Sequence, residues 1–339
     1  MFDTKLLSPT PENISYCARL IKCGEIVGMP TETVYGLAAN AFDESAVRKI
    51  FAAKGRPADN PLIVHISDID MIKTLSTDIP ELAWKLAESF WPGPLTMVLP
   101  KTNKIPTVTS GGLDTVGIRM PKSPVARELI RACMLPLAAP SANISGRPST
   151  TSALHVLNDL NGLIPAVLDG GECEVGVEST VISFESDGVR ILRPGIITAD
   201  ELMSVAHNVF IDNGVLNEVS SDIKAASPGM KYKHYSPKAK VVLVDGSLES
   251  FIEYAKENAS EDTFLMCFDG DEIPDDFNAV YYGKNSREQA NRLFKVLREL
   301  DELNAKTVFA RVPEKSGEGL AVYNRILRAA AFEIVRVGE

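Results

Sequence analysis

The sequence predicts two α/β domains in tandem, the larger one first, and three observations carry that prediction. Helical and strand-like hydrophobic patterns alternate from the N-terminal region to Gly195, as layered α/β folds require. Residues 210–237 lose this periodicity and end in the run Ser227-Pro228-Gly229-Met230-Lys231-Tyr232-Lys233-His234-Tyr235-Ser236-Pro237, which reads as a linker. A second alternation begins near Lys238. The expected division is therefore 1–209, 210–237 and 238–339.

In order along the chain, residues 24–29 form a short apolar strand that runs into the polar turn Pro30-Thr31-Glu32-Thr33-Val34-Tyr35-Gly36-Leu37. Asp43 caps a helix whose Ala46, Val47, Ile50 and Phe51 recur at helical spacing. That helix delivers the loop Lys54-Gly55-Arg56-Pro57-Ala58-Asp59-Asn60-Pro61, after which Leu62-Ile63-Val64-His65-Ile66 reads as a buried strand. Residues 116–120 form a strand and 123–133 a helix. The apolar run Leu135-Pro136-Leu137-Ala138 leads into a second polar turn at 139–149. Glu178-Ser179-Thr180 and Arg193-Pro194-Gly195 are two more. A helical stretch covers 199–209. In the second domain, strands at 241–244, 264–268 and 307–311 with helical patterns between them predict a small Rossmann-like parallel sheet. It lacks a glycine fingerprint, so nothing there predicts nucleotide binding.

The polar turns sit at strand ends, where α/β domains gather binding groups. In the loop at 54–61, a lysine and an arginine spaced by glycine and followed by proline let two cationic heads converge on one polyanion. The loop leaves a helix C-terminus, which does not favour phosphate, so side chains and loop amides must do the binding. No Walker A or GxGxxG pattern occurs, nor any clear Ser/His/Asp or Cys/His constellation. The competing reading is a solvated basic turn.

Composition narrows the classes. With 339 residues and 45% hydrophobic content, the chain supports about two real cores. A formal net charge of −10 argues against gripping nucleic acid through bulk charge. Cys17, Cys23, Cys133, Cys173 and Cys267 show no metal-ligand spacing and read as buried free thiols in a reducing compartment. Residues 1–5 open no apolar leader, and no run approaches the roughly 18 apolar residues of a membrane span, so the expectation is a cytoplasmic protein. Between Asp222 and Asp245 stand Lys224, Lys231, Lys233, Lys238, Lys240 and His234 without one acid, an asymmetry that calls for an anionic partner.

Taken together, the turns at 30–37, 54–57, 141–143, 179–180 and 193–195, with the segment at 227–237, resemble in kind and order the threonylcarbamoyl-AMP synthases in their long, two-domain form. The resemblance covers nearly the whole chain, strongly to Pro237 and weakly beyond. It implies a YrdC-like twisted open mixed sheet with helices, followed by a smaller Rossmann-like parallel α/β domain with an interaction or regulatory role. It also implies a nucleotidyltransferase that combines L-threonine, bicarbonate and ATP, with Mg²⁺ accompanying the nucleotide. The product, threonylcarbamoyl-AMP, would pass to a tRNA threonylcarbamoyltransferase for modification beside the anticodon. A weak contact with tRNA itself is the remaining partner expectation, and no membrane is involved.

By the same resemblance, Thr33, His65, Arg119, the Ala139 backbone and Ser179 surround threonine. Lys54, Arg56, Asn60, Thr115, Ser141, Asn143, Ser149, Arg193 and Tyr232 meet ATP, with Lys54 and Arg56 nearest the chemistry. No dedicated metal motif is visible. Each residue has a plainer role: His65 as a core histidine, Ser179 and Thr33 as turn hydroxyls, and Arg119 as partner of an internal carboxylate such as Glu178. The linker is expected to act as a lid that brings Tyr232 to the nucleotide, against the plainer reading of a solvated connector. Two other functional classes remain: a double-stranded-RNA or tRNA-binding module, and a carbamoyl-adenylate-forming transferase, whose family carries cysteine-rich zinc fingers that this chain lacks.

Overall fold

The computed structural model describes residues 2–217 and 235–338. The first sheet-forming region contains β1 (Lys5–Leu7), α1 (Pro11–Lys22), β2 (Val27–Met29), β3 (Gly36–Asn40), α2 (Glu44–Lys54) and β4 (Ile63–His65). It continues through α3 (Ile72–Leu75), α4 (Glu81–Phe90), β5 (Leu95–Pro100), β6 (Thr115–Arg119), α5 (Pro124–Cys133) and β7 (Leu137–Ala138). Then come α6 (Ala153–Leu160), β8 (Ala166–Leu168), β9 (Thr180–Glu185), β10 (Gly188–Arg193), α7 (Ala199–Met203) and β11 (Asn208–Ile211). The second region has β12 (Lys240–Asp245), α8 (Leu248–Asn258), β13 (Thr263–Cys267), β14 (Asn278–Tyr281), α9 (Ser286–Glu302), β15 (Thr307–Arg311), α10 (Gly319–Ala329) and β16 (Ile334–Arg336).

Local chemistry explains the helices that matter for the site. Asp43 accepts from the amides of Ser45 and Ala46 and so starts α2. Gly55 ends it in the left-handed conformation at φ 61°, which costs glycine little and turns the chain sharply after Lys54. Ser123 caps α5 and Asn285 caps α9.

The larger sheet is mixed and eleven-stranded, in the order β1-β8-β2-β3-β7-β4-β6-β5-β9-β10-β11. At its centre β4 lies between antiparallel β7 and parallel β6, in a register that places His65 beside both Leu137 and Arg119. The smaller sheet is wholly parallel, in the order β14-β13-β15-β12-β16. The fold class is thus the expected α/β arrangement of a mixed sheet followed by a smaller parallel one. Strand β11 runs across the expected boundary at residue 209, pairing in parallel with β10. The helical stretch expected over 199–209 is only five residues long as α7.

An apolar cluster joins the two regions: Val34, Val177 and Ile196 of the first pack with Leu293 and Phe294 of the second and with Tyr235 of the segment between them. Four of the five cysteines are buried, as expected, but Cys23 is exposed at the end of α1. Among the described residues no helix is long and apolar enough to cross a membrane.

Candidate active site

Four polar turns meet over the middle of the larger sheet. Gly36 forms a bridge with Ser141, the Ala142 amide donates to the Tyr35 carbonyl and the Leu37 amide to the Pro140 carbonyl, so the turns at 30–37 and 139–149 are laced together. Lys54 is 1% exposed, and its ammonium donates to the carbonyls of Ser141 and Asn143. Two of its three donors are therefore engaged within the protein. Burial, then the adjacent Arg56 guanidinium, push Lys54 well below its ordinary pKa. Arg56 donates through Nη2 to the carbonyl of Pro61 at 3.3 Å and of Asn60 at 3.5 Å, which keeps the loop closed on itself.

On the opposite wall, Arg119 is 3% exposed at the end of β6. It donates from Nη1 to Thr33 Oγ1 at 2.8 Å and from Nε to the Gly93 carbonyl at 3.3 Å, while Nη2 stands 2.6 Å from Glu32 Oε1. The internal carboxylate beside Arg119 is thus Glu32, not Glu178. Burial works to raise the Glu32 carboxyl, but the Arg119 guanidinium prevails and holds it below the usual range. His65 is buried next to this pair and its Nδ1 has no hydrogen-bond partner. Burial, then Arg119, push the imidazole down to about 3, so it is neutral at physiological pH.

The third side is built from β9 and β10. Arg193 donates to the Ser179 carbonyl and hydroxyl, both at 3.2 Å, and the Ser179 hydroxyl lies 2.8 Å from Thr96 Oγ1. Ser149 donates to Glu178 Oε1 at 2.5 Å. Burial favours a protonated Glu178, yet Arg325, Arg193 and the Ser149 hydroxyl outweigh it and keep the carboxyl below its usual range.

Thr33, Lys54, Arg56, His65, Arg119, Ala139, Ser141, Asn143, Ser149, Ser179 and Arg193 all line one cavity. Thr115 does not: it opens β6 opposite Pro100, four residues and roughly 13 Å from Arg119 along the strand. Asn60 is not in the lining either. Its side chain is buried behind the loop that carries Arg56, with Oδ1 unpartnered, and only its carbonyl meets that arginine. Tyr232, with the lysines and His234 around it, lies outside the described residues.

Several residues in or behind the lining received no substrate-binding role from the sequence. Glu178 and Tyr235 lie inside segments already notable for their polarity, and Arg147 sits in the turn at 139–149. Arg325 was invisible because it comes from a helix distant in sequence. Its signal is that apolar residues flank it in α10, Leu320-Ala321-Val322-Tyr323 before it and Ile326-Leu327 after it, and every residue of that helix is buried.

Comparison with known proteins matches this geometry to a family. A family model described as "Telomere recombination" matches residues 19–195, and one described as "Threonylcarbamoyl-AMP synthase, C-terminal domain" matches residues 197–331. The threonylcarbamoyl-AMP synthase of Pyrococcus abyssi is 45% identical over 333 residues, with 96% of each chain covered. The chain belongs to the threonylcarbamoyl-AMP synthase family. The Bacillus subtilis synthase is 41% identical, covering 98% of this chain and 97% of its own. The crystal structure of P. abyssi Sua5 complexed with L-threonine superposes with a TM-score of 0.90 at 42% identity, covering 100% of this chain and 99% of that one. Those family members are long-form proteins, and the match extends through both sheets.

Proposed function

We propose that the chain is an L-threonylcarbamoyladenylate synthase, a nucleotidyltransferase that makes threonylcarbamoyl-AMP and pyrophosphate from L-threonine, bicarbonate and ATP. One observation carries the reading: a single cavity sets Arg119, Thr33 and His65 on one wall and Lys54, Arg56 and Arg193 on the others. The first group suits an amino acid and the second a polyphosphate. Near-full-length identity to named synthases supports the same assignment.

The threonine amine joins the carbon of bicarbonate to give a carbamate, and a carbamate oxygen bonds to the α-phosphorus as the bond to pyrophosphate breaks. Water is the other product. No protein nucleophile is needed, so the work is positioning and charge stabilisation. Three of the five N–H groups of Arg119 face Thr33, Gly93 and Glu32, which leaves two for the threonine carboxylate. Neutral His65 offers a hydrogen bond without adding charge. Ser141 and Asn143, held by Lys54 through their carbonyls, fix the turn against which the nucleotide rests. The third donor of Lys54 and the heads of Arg56 and Arg193 meet the phosphates.

Mg²⁺ enters as part of the substrate, bound to ATP and water. The protein side fits that role better than a resident metal: among the described residues no group of His, Cys, Asp or Glu forms a metal cage, and Glu178 is already committed to Ser149 and Arg325. The product goes to a transferase acting on tRNA in the cytoplasm.

Incubation with ATP, Mg²⁺ and bicarbonate, with and without L-threonine, tests the reading through pyrophosphate release and the mass of the adenylate. The expected result is threonylcarbamoyl-AMP only when threonine is present. Lys54→Ala and Arg56→Ala each lower turnover about 10²-fold if they meet transition-state charge. Absence of pyrophosphate under every condition overturns the assignment.

A further inference from the structure

We propose that Arg325 is a positioning residue for the triphosphate half of the cavity, acting from the second domain through Glu178. The inference rests on the reading that ATP occupies this cavity, and deepens it by assigning the C-terminal region a part in nucleotide binding.

Arg325 is wholly buried in α10, and apart from an Nη1 contact to the Ala321 carbonyl of its own helix at 3.3 Å its guanidinium is spent on the first domain. Nε donates to Glu178 Oε2 at 3.1 Å, Nη2 to the Glu178 carbonyl at 3.3 Å, and Nη1 to the Pro194 carbonyl. One side chain therefore holds the turn that carries Ser179 and the turn that carries Arg193. The other oxygen of Glu178 accepts from Ser149, so the same guanidinium also fixes a third lining residue. Arg298 of α9 works in parallel: it donates to the carbonyls of Pro148 at 2.6 Å and Ser149 at 3.3 Å, and pairs with the 1%-exposed side chain of Asp159 at 2.9 Å. Neither arginine lines the cavity. They act on the substrate only through the residues they hold.

Charge gives the arrangement its purpose. Among the described residues, Glu178 is the one carboxylate in a lining that otherwise offers Lys54, Arg56 and Arg193 to a polyanion. Left alone, it would repel a triphosphate and draw Arg193 onto itself. Arg325 offsets it from behind, using a planar fork that a lysine cannot reproduce. Arg193 stays on Ser179, beside the cavity. Most of the threonine wall stands apart from this device: Arg119 is held by Glu32, Thr33 and Gly93, and of the threonine group only Ser179 sits on a turn that Arg325 holds.

The test is steady-state kinetics on the full chain, with each substrate varied in turn. In Arg325→Met the KM for ATP rises at least about tenfold while the KM for threonine moves less than about threefold, a split that general loss of structure does not produce. The charge-neutral double variant Glu178→Gln/Arg325→Met, which keeps an acceptor for Ser149 but still lacks the fork, brings the rise in KM for ATP down to about three- to fivefold over wild type. If Arg325→Met does not fold, Arg325→Lys retains the charge and loses the fork, and shows the same split at about three- to tenfold. An unchanged KM for ATP, an equal rise for both substrates, or no recovery in the double variant overturns the proposal. A wild type that releases no pyrophosphate overturns the functional reading itself, so the two failures are distinct.

Discussion

His65 is an imidazole that the fold keeps uncharged. Its pKa is pushed down to about 3 by burial and by Arg119, against 6.5 for the free side chain. Below pH 6.5 the unfolded chain takes a proton that the folded chain refuses, so the contribution is full above 6.5 and is lost as pH falls toward 3. By about pH 5 the loss reaches about 2 kcal/mol. Denaturant unfolding at about pH 7.5 and about pH 5 should therefore cost the wild type about 2 kcal/mol more than His65→Asn. His155, pushed down to about 4 by burial and Arg298, contributes equally to both proteins and cancels. Equal losses in the two proteins would show that His65 carries no such linkage. At this scale the sequence disclosed the residues that sit in motifs, because short polar turns announce themselves by composition. It did not disclose the pairing of Arg119 with Glu32, which depends on a strand end and a turn meeting across 87 residues of chain.

The elements turn those residues into a site by close backbone approach. Gly195 follows the Arg193-Pro194 pair, and a Cβ placed there would stand 2.3 Å from the Thr180 amide nitrogen and 2.7 Å from the Ser179 carbonyl carbon. Backbone atoms do not yield as a side-chain tip does, so Gly195→Ala should cost about 3 kcal/mol of stability and pull Arg193 away from Ser179. Thermal unfolding with a pyrophosphate-release assay checks both; wild-type values in both would refute the close-approach argument. Helices α2 and α5 were legible from amphipathic spacing and capping residues, and β6 from its apolar alternation. Edge strands were harder. Three-residue β1 pairs with β8 at Ala166, and nothing local in Lys5-Leu6-Leu7 names a partner so far along the chain. Thr115 stands outside the cavity lining at the other end of β6 from Arg119, because a strand motif identifies the strand but not which end faces the cavity.

For the whole molecule, net charge and domain contact set what the protein engages. A total of −10 opposes a polyphosphate backbone, and Lys54, Arg119 and Arg193 of the cavity are buried rather than displayed. Retention of tRNA at about physiological salt is accordingly expected to be negligible, and binding that ATP displaces would instead favour the RNA-binding class. The two-domain arrangement was legible because periodicity stops and restarts, whereas the hold of the second domain on the first was not. Arg298 and Arg325 sit in helical patterns that give no direction for their heads. That hold has a temporal consequence. Glu178 and Arg325 are 147 residues apart in the chain. At synthesis rates of about 5–20 residues per second, the carboxylate waits roughly 7–30 s on the ribosome for its counter-ion. If the proposed nucleotide site is right, the nascent first domain spends that interval with an uncompensated carboxylate in its cavity, and its full affinity for ATP is expected only as translation nears completion.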